Sequence, residues 1–229
     1  FIVGRLDTVQ VGHAPESEIL FAKIKSIFNS NKSTEEAWLK AVEWSYQKGA
    51  RLVNSSVGYV KGSHTHEMLT GDSCLMSLAG NLAARKGMLI INAAGNEGAN
   101  DWKMISFPSD ADSVLAVGAI DSKFGVRTIY SSYGPSKDLN LKPNVTALGN
   151  LYWFNGSSFK KLEGTSFSTP LVTGFAACIL QNQPYLSAME LMDTIQKSSS
   201  LYPYFDYSHG YGVPRATLYF NKDTITDTT

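Results

Sequence analysis

This sequence predicts an α/β protein with a doubly wound, mostly parallel sheet and helices on both of its faces. Three observations carry that reading. Apolar runs without polar alternation lie at 52–57, 88–94 and 113–119, as expected of strands buried on both sides. Stretches with 3.6-residue periodicity alternate with them, joined by short connections. Gly49 and Gly87 close two of the helical stretches just before a strand begins.

Taken in order, a Gly12-His13-Ala14-Pro15 loop leads into an apolar run at 19–24, read as a first strand. A helix follows from Ser33, where Ser33 and Glu36 have capping-box spacing and Trp38, Ala41, Val42 and Ser45 fall on one face. After the strand at 52–57 the chain turns polar, and His64-Thr65-His66 reads as a solvated loop. A zinc reading of that pair fails on spacing, because no further His or Cys stands nearby to bring the ligands to three or four. A second helix spans 72–86, with Leu75, Leu78, Ala79, Leu82 and Ala83 as its apolar stripe. The strand at 88–94 ends at Gly95-Asn96. Beyond the strand at 113–119, Gly164-Thr165-Ser166 heads an apolar helical run at 170–180, with Pro170 placed in the first turn, which needs no donor from it. Ser187 and Glu190 cap another helix at 187–198. Residues 1–218 read as the C-terminal portion of a single domain, and 219–229 as a polar tail or linker.

Composition narrows the function. The 229 residues are 43% hydrophobic and 17% charged, enough chain for a substantial core. Twenty basic side chains balance twenty acidic ones, so nothing favours nucleic acid or an anionic membrane surface as partner. No apolar run approaches the roughly 18 residues of a membrane span. Cys74 and Cys178, without CxxC spacing, read as two free, mostly buried thiols.

The chemistry gathers at two places. Ser166 stands at a helix N-terminus, where unpaired N–H groups favour an alkoxide or oxyanion, although an isolated Gly-Thr-Ser is equally a plain helix cap. Asn96 stands at the tip of a buried strand, where a rigid amide can face a developing negative charge or can simply close a turn.

Together with Ser55-Ser56-Val57-Gly58, the segments Ala93-Ala94-Gly95-Asn96 and Gly164-Thr165-Ser166-Phe167-Ser168-Thr169-Pro170 resemble the subtilisin-like serine proteases, in the order that family uses. Gly12-His13-Ala14-Pro15 with Ile19-Leu20 and Lys23, Lys142-Pro143-Asn144 and Gly210-Tyr211-Gly212-Val213 extend the resemblance over most of the chain. It implies a Ser166 nucleophile and an oxyanion donor at Asn96, working on polypeptide. Ser56, Val57 and Gly58, with Ala93, Ala94 and Gly95, would line the cleft and pair with an extended substrate. Glu97 would stand at the rim of a specificity pocket and favour basic or polar groups. The resemblance further implies a cis Phe107-Pro108 bond, a secreted or cell-envelope location, and calcium as the one cofactor to consider, without an assignable site. Tyr130 and Asn144 replace the family's usual phenylalanine and aspartate, changes expected to bear on packing.

The family's aspartate and histidine motifs precede the Gly12 segment, so the resemblance places both outside these residues, supplied by a further N-terminal segment. Asp7-Thr8-Val9 lacks the glycine of the aspartate motif, and His13 and His209 read as loop histidines. Two alternatives remain. A non-catalytic relative would hold peptides in the same cleft, and an α/β-hydrolase would need a G-x-S-x-G elbow that Ser166 does not have.

Overall fold

The computed structural model describes residues 1–6, 8–24, 31–60, 64–154 and 157–220. A two-stranded antiparallel ribbon, β1 (Arg5–Leu6) and β2 (Val9–Gln10), opens the chain. Then come α1 (Asn31–Gln47), β3 (Leu52–Ser55), a 3-10 turn at His66–Met68, α2 (Leu75–Arg85), β4 (Leu89–Ala93) and β5 (Val114–Ile120). β6 (Val145–Leu148) is followed by a hairpin of β7 (Asn150–Phe154) and β8 (Phe159–Glu163), then α3 (Thr165–Asn182), α4 (Ala188–Lys197) and α5 (Ala216–Phe220).

The central sheet has the order β3-β4-β5-β6, all parallel, with Val53 opposite Ile90, Ile91 opposite Leu115 and Val117 opposite Val145. Every residue of β4 and β5 is buried, which is why these strands carry no polar alternation. Side chains leave the two faces in turn: Leu89, Ile91, Leu115 and Val117 pack with α3 and α4, while Ile90 and Val114 pack with α1 and α2. Helices therefore cover both faces of a parallel sheet, the doubly wound arrangement.

Several expectations change. Residues 19–24 form no strand. They run beside β3 across an open slot of about 600 Å³, lined by Leu20, Ile24, Trp38, Leu52 and Ala177. Strands pair at about 4.8 Å, and the slot holds this run away from the β3 edge, leaving Phe21 84% exposed. The leucine stripe of α2 faces outward, with Leu75, Leu78 and Leu82 nearly half exposed, whereas Met76, Ala79, Gly80 and Ala83 face the core. Close packing decides between the two stripes, since a Cβ on Gly80 would lie 2.5 Å from Val114 Cγ2. α1 begins two residues before Ser33, whose side chain lies outside the described residues, whereas the Ser187–Glu190 capping box forms in full.

The tail begins later than position 218. Tyr219 is buried in the α3–α4 core and accepts a hydrogen bond from Asn182 Nδ2, so α5 belongs to the body, and 221–229 lie outside the described residues. Pro170 sits inside α3, beyond its first turn, and removes the backbone donor that would have reached the Ser166 carbonyl. Ser56 Oγ donates to that carbonyl instead, at 3.1 Å, and so ties the end of β3 to the start of α3.

Candidate active site

Ser166 is the second residue of α3 and half-buried. The turn before it is held from two sides. From the β4 side, Asn96 Oδ1 accepts from Thr165 N–H at 2.9 Å and from Thr165 Oγ1 at 3.1 Å, and Thr165 Oγ1 also lies 3.2 Å from the Gly95 carbonyl. With its oxygen engaged, the Asn96 amide presents Nδ2 as its donor, on an exposed residue beside Ser166. Ser166 N–H is the next donor along the helix start, where no intrahelical carbonyl is available. Gly164 has φ +146 and Gly95 has φ +119, values that L side chains rarely adopt, so glycine at both positions makes this corner possible.

From the other side comes a residue that the sequence assigned only to packing. The Tyr130 hydroxyl lies 2.9 Å from the Gly149 carbonyl and from Asn150 Oδ1, and accepts from Gly164 N–H at 3.1 Å. Burial raises its pKa, keeping it protonated as a donor. The hydroxyl that distinguishes this tyrosine from phenylalanine thus locks the approach to Ser166. Asn144 is likewise a structural anchor, its Oδ1 accepting from Ala116 N–H at 2.7 Å and from Lys142 Nζ at 3.2 Å.

The expected cleft residues divide. Ser56 and Gly58 are exposed and Val57 is half-buried, so this segment offers an edge to a ligand. Gly58 is constrained from behind, since a Cβ there would stand 2.4 Å from Ser106 Oγ. Ala93 and Ala94 are buried and their carbonyls already engaged, Ala93 by Ser109 Oγ and Asn92 Nδ2, Ala94 by Ser106 N–H. The Gly95 carbonyl accepts from Ser132 N–H. The carbonyls of 93–95 are thus all engaged within the chain, as is that of Val57, which accepts from Asn92 Nδ2 at 3.1 Å, so 56–58 differ from 93–95 in exposure. The Glu97 carboxylate accepts from Asn100 Nδ2 in its own turn, and its N–H donates to Ser132 Oγ. Phe107-Pro108 is cis.

All four histidines are engaged away from Ser166. His13 Nδ1 lies 3.1 Å from the Leu171 carbonyl, and His66 Nε2 lies 2.9 Å from the Trp102 carbonyl. His209 Nε2 accepts from Arg127 N–H at 3.0 Å while its Nδ1 faces Asp206 at 3.0 Å, an arrangement that fixes one tautomer and occupies both nitrogens. His64 is no solvated loop residue. Its side chain is 5% exposed, stacks on Phe107 at 4.8 Å, and meets Glu35 and Cys74. Burial pushes the Cys74 thiol up to about 11, with the Met76 and Ser77 amides acting in the opposite sense. Both cysteines are free, Cys74 buried and Cys178 half-buried. Asp7 lies outside the described residues.

A family model described as the subtilase family matches residues 2–212. The chain belongs to the subtilase family. This subtilase is 31% identical over 178 residues to Subtilisin DY from Bacillus licheniformis, covering 77% of this chain and 60% of that protein. It is 30% identical over 190 residues to Subtilisin Savinase from Lederbergia lenta, covering 83% and 63% respectively. The chain thus spans less than two thirds of the length of these curated relatives. Among solved structures, the self-cleaved protease domain of PatA superposes with a TM-score of 0.75 at 24% identity, covering 96% of this chain and 79% of that one, a likeness of fold.

Proposed function

We propose that this subtilase carries the nucleophile half of a serine endopeptidase site, with the aspartate and histidine supplied by a polypeptide segment outside these 229 residues. The observation that carries the reading is the clamp on Thr165: Asn96 Oδ1 accepts from the backbone and hydroxyl of the residue just before Ser166, which leaves Nδ2 as the free donor of that amide. In the reaction Ser166 Oγ bonds to the scissile carbonyl carbon, the carbonyl π electrons move onto oxygen, and the hydroxyl proton passes to the incoming histidine. The oxyanion so formed is stabilised by Asn96 Nδ2, the Ser166 N–H and the α3 dipole. A peptide lying along 56–58 as an added strand is the substrate, and bulk at Gly58 would bar its approach. Glu97 stands at the rim and gives a preference for Lys over Glu before the scissile bond, to be checked with matched peptides.

The slot between 17–24 and β3 supports the missing half. Among the described residues β3 has no strand partner on this side, an extended apolar run flanks its edge, and a strand of the incoming segment would fill the slot. A location outside the cytoplasm belongs to the same proposal, following the relatives. The engagement of every histidine elsewhere favours a second reading, a peptide-holding relative without catalysis. A fluorophosphonate label applied to the gene product with its upstream sequence separates the two. Modification at Ser166, lost in Ser166→Ala, supports the enzyme; an unlabelled but folded protein supports the binder.

A further inference from the structure

Away from Ser166, on the α1–α2 face of the sheet, three ligand-bearing side chains distant in sequence converge. Glu35 comes from the start of α1, His64 from the loop after β3, and Cys74 from the residue that precedes α2. Their nearest ligand atoms all lie within 4.8 Å of one another. His64 Nε2 is 3.3 Å from Glu35 Oε1 and 3.7 Å from Cys74 Sγ. The Glu35 side chain is 15% exposed and Cys74 3%.

We propose that Glu35, His64 and Cys74 form a zinc site, with solvent completing a tetrahedron. The distances argue for it. Zinc binds sulfur at about 2.3 Å, imidazole nitrogen at about 2.0–2.1 Å and carboxylate oxygen at about 2.0–2.2 Å. A tetrahedron with those arms has an S···N edge of about 3.6 Å and an N···O edge of about 3.4 Å. The two observed edges match these to within about 0.2 Å. The third, Sγ to carboxylate, closes by rotation of the Glu35 side chain. One nitrogen facing both an anionic oxygen and a sulfur suits a shared cation better than a hydrogen bond, because a single ring N–H points at one acceptor. Mixed S, N and O donors at this spacing select a borderline cation over calcium or magnesium, which take oxygen shells. On binding, the Cys74 thiol proton leaves to solvent and the sulfur coordinates as thiolate, while His64 binds through its neutral Nε2.

The site staples α1, α2 and the stretch between β3 and α2. Tyr59, which pairs with Phe107 on both hydrogen bonds, and the 56–58 edge lie just ahead of His64 on that stretch, and the His64 ring rests on Phe107. Zinc there stiffens the cleft edge from behind.

The test uses the full 229-residue chain, stripped with chelator and titrated with cobalt(II) as a spectroscopic stand-in. One equivalent should develop tetrahedral d–d bands and a thiolate-to-cobalt charge-transfer band, both removed by adding zinc, and zinc should raise the melting temperature. Cys74→Ala should abolish the charge-transfer band and weaken binding by about 100-fold or more, while Cys178→Ala keeps both. Should Cys74→Ala fold poorly, Cys74→Ser decides: the hydroxyl keeps the volume of the thiol, and the charge-transfer band must still vanish at saturating cobalt while Cys178→Ser retains it. Absence of the charge-transfer band in the native chain at saturating cobalt, or its persistence in Cys74→Ala or Cys74→Ser, would overturn the site.

Discussion

The corner around Ser166 and the outer edge of β3 are neighbours, joined by the Ser56 to Ser166 hydrogen bond, yet they are built in opposite ways. At the corner nearly every polar group has a partner inside the chain. Asn96, Thr165, Gly164, Tyr130 and Gly149 form a closed network around the start of α3. Along β3 the outer edge faces a slot, and Ile19, Leu20 and Phe21 expose apolar surface toward solvent. The oxyanion site proposed here needs rigidity before the substrate arrives, and the closed corner would supply it. A free parallel edge beside an apolar run is costly to leave open, and the proposed N-terminal segment would cover it.

Four changes probe that contrast, from the largest expected effect down. In the reconstituted protease, Asn96→Ala should lower kcat by about 10²–10³, the size seen when a subtilisin loses one oxyanion donor, with KM nearly unchanged. Steady-state kinetics on a peptide series checks it, and a fall confined to KM would make Asn96 a turn residue.

The second concerns the support beneath β5. Lys142 is fully buried, donates to the Ala111 and Val114 carbonyls at 2.6 Å, and has its pKa lowered to about 8 by burial, against the attraction of Asp110 and Asp112. A lysine pKa below its unfolded value of 10.5 means the unfolded chain binds the extra proton. Stability linked to this group is therefore present above pH 10.5 and lost as pH falls through 8, about 3 kcal/mol in all. Urea unfolding between pH 8 and 10.5 should show that rise, and Lys142→Met should flatten it.

Third, Tyr130→Phe restores the family's usual residue but leaves Asn150 Oδ1 and the Gly149 carbonyl without their hydroxyl partner. A loss of about 1–3 kcal/mol in urea unfolding is expected. No change would mean that the hydroxyl is dispensable to the corner. The smallest effect belongs to the open edge. Phe21→Ser in the 229-residue chain should alter stability by no more than about 0.5 kcal/mol, since the ring is 84% exposed. A larger loss would show that residues 17–24 are packed against something.

Much of this was legible in the sequence, and where it was not the reasons are physical. β4 and β5 announce themselves because burial on both faces removes polar alternation, and the Gly95-Asn96 tip and Ser166 helix start carry local chemistry in adjacent residues. The α2 stripe misleads because two faces of that helix are apolar, and the smaller one packs closer. The β7–β8 hairpin was missed from the sequence, although Asn155-Gly156 between aromatic runs is the strongest short-range hairpin signal. The Glu35–His64–Cys74 cluster and the Tyr130 hub join residues that only the folded sheet brings together, which spacing rules cannot see.

The most direct measurement is a crystal structure of the reconstituted protein with a peptidyl boronic acid. Boron should be bonded to Ser166 Oγ, with one boronate oxygen about 3 Å from both Asn96 Nδ2 and the Ser166 N–H. A boronate bound to Ser166 whose oxygens both turn away from Asn96 would contradict the account.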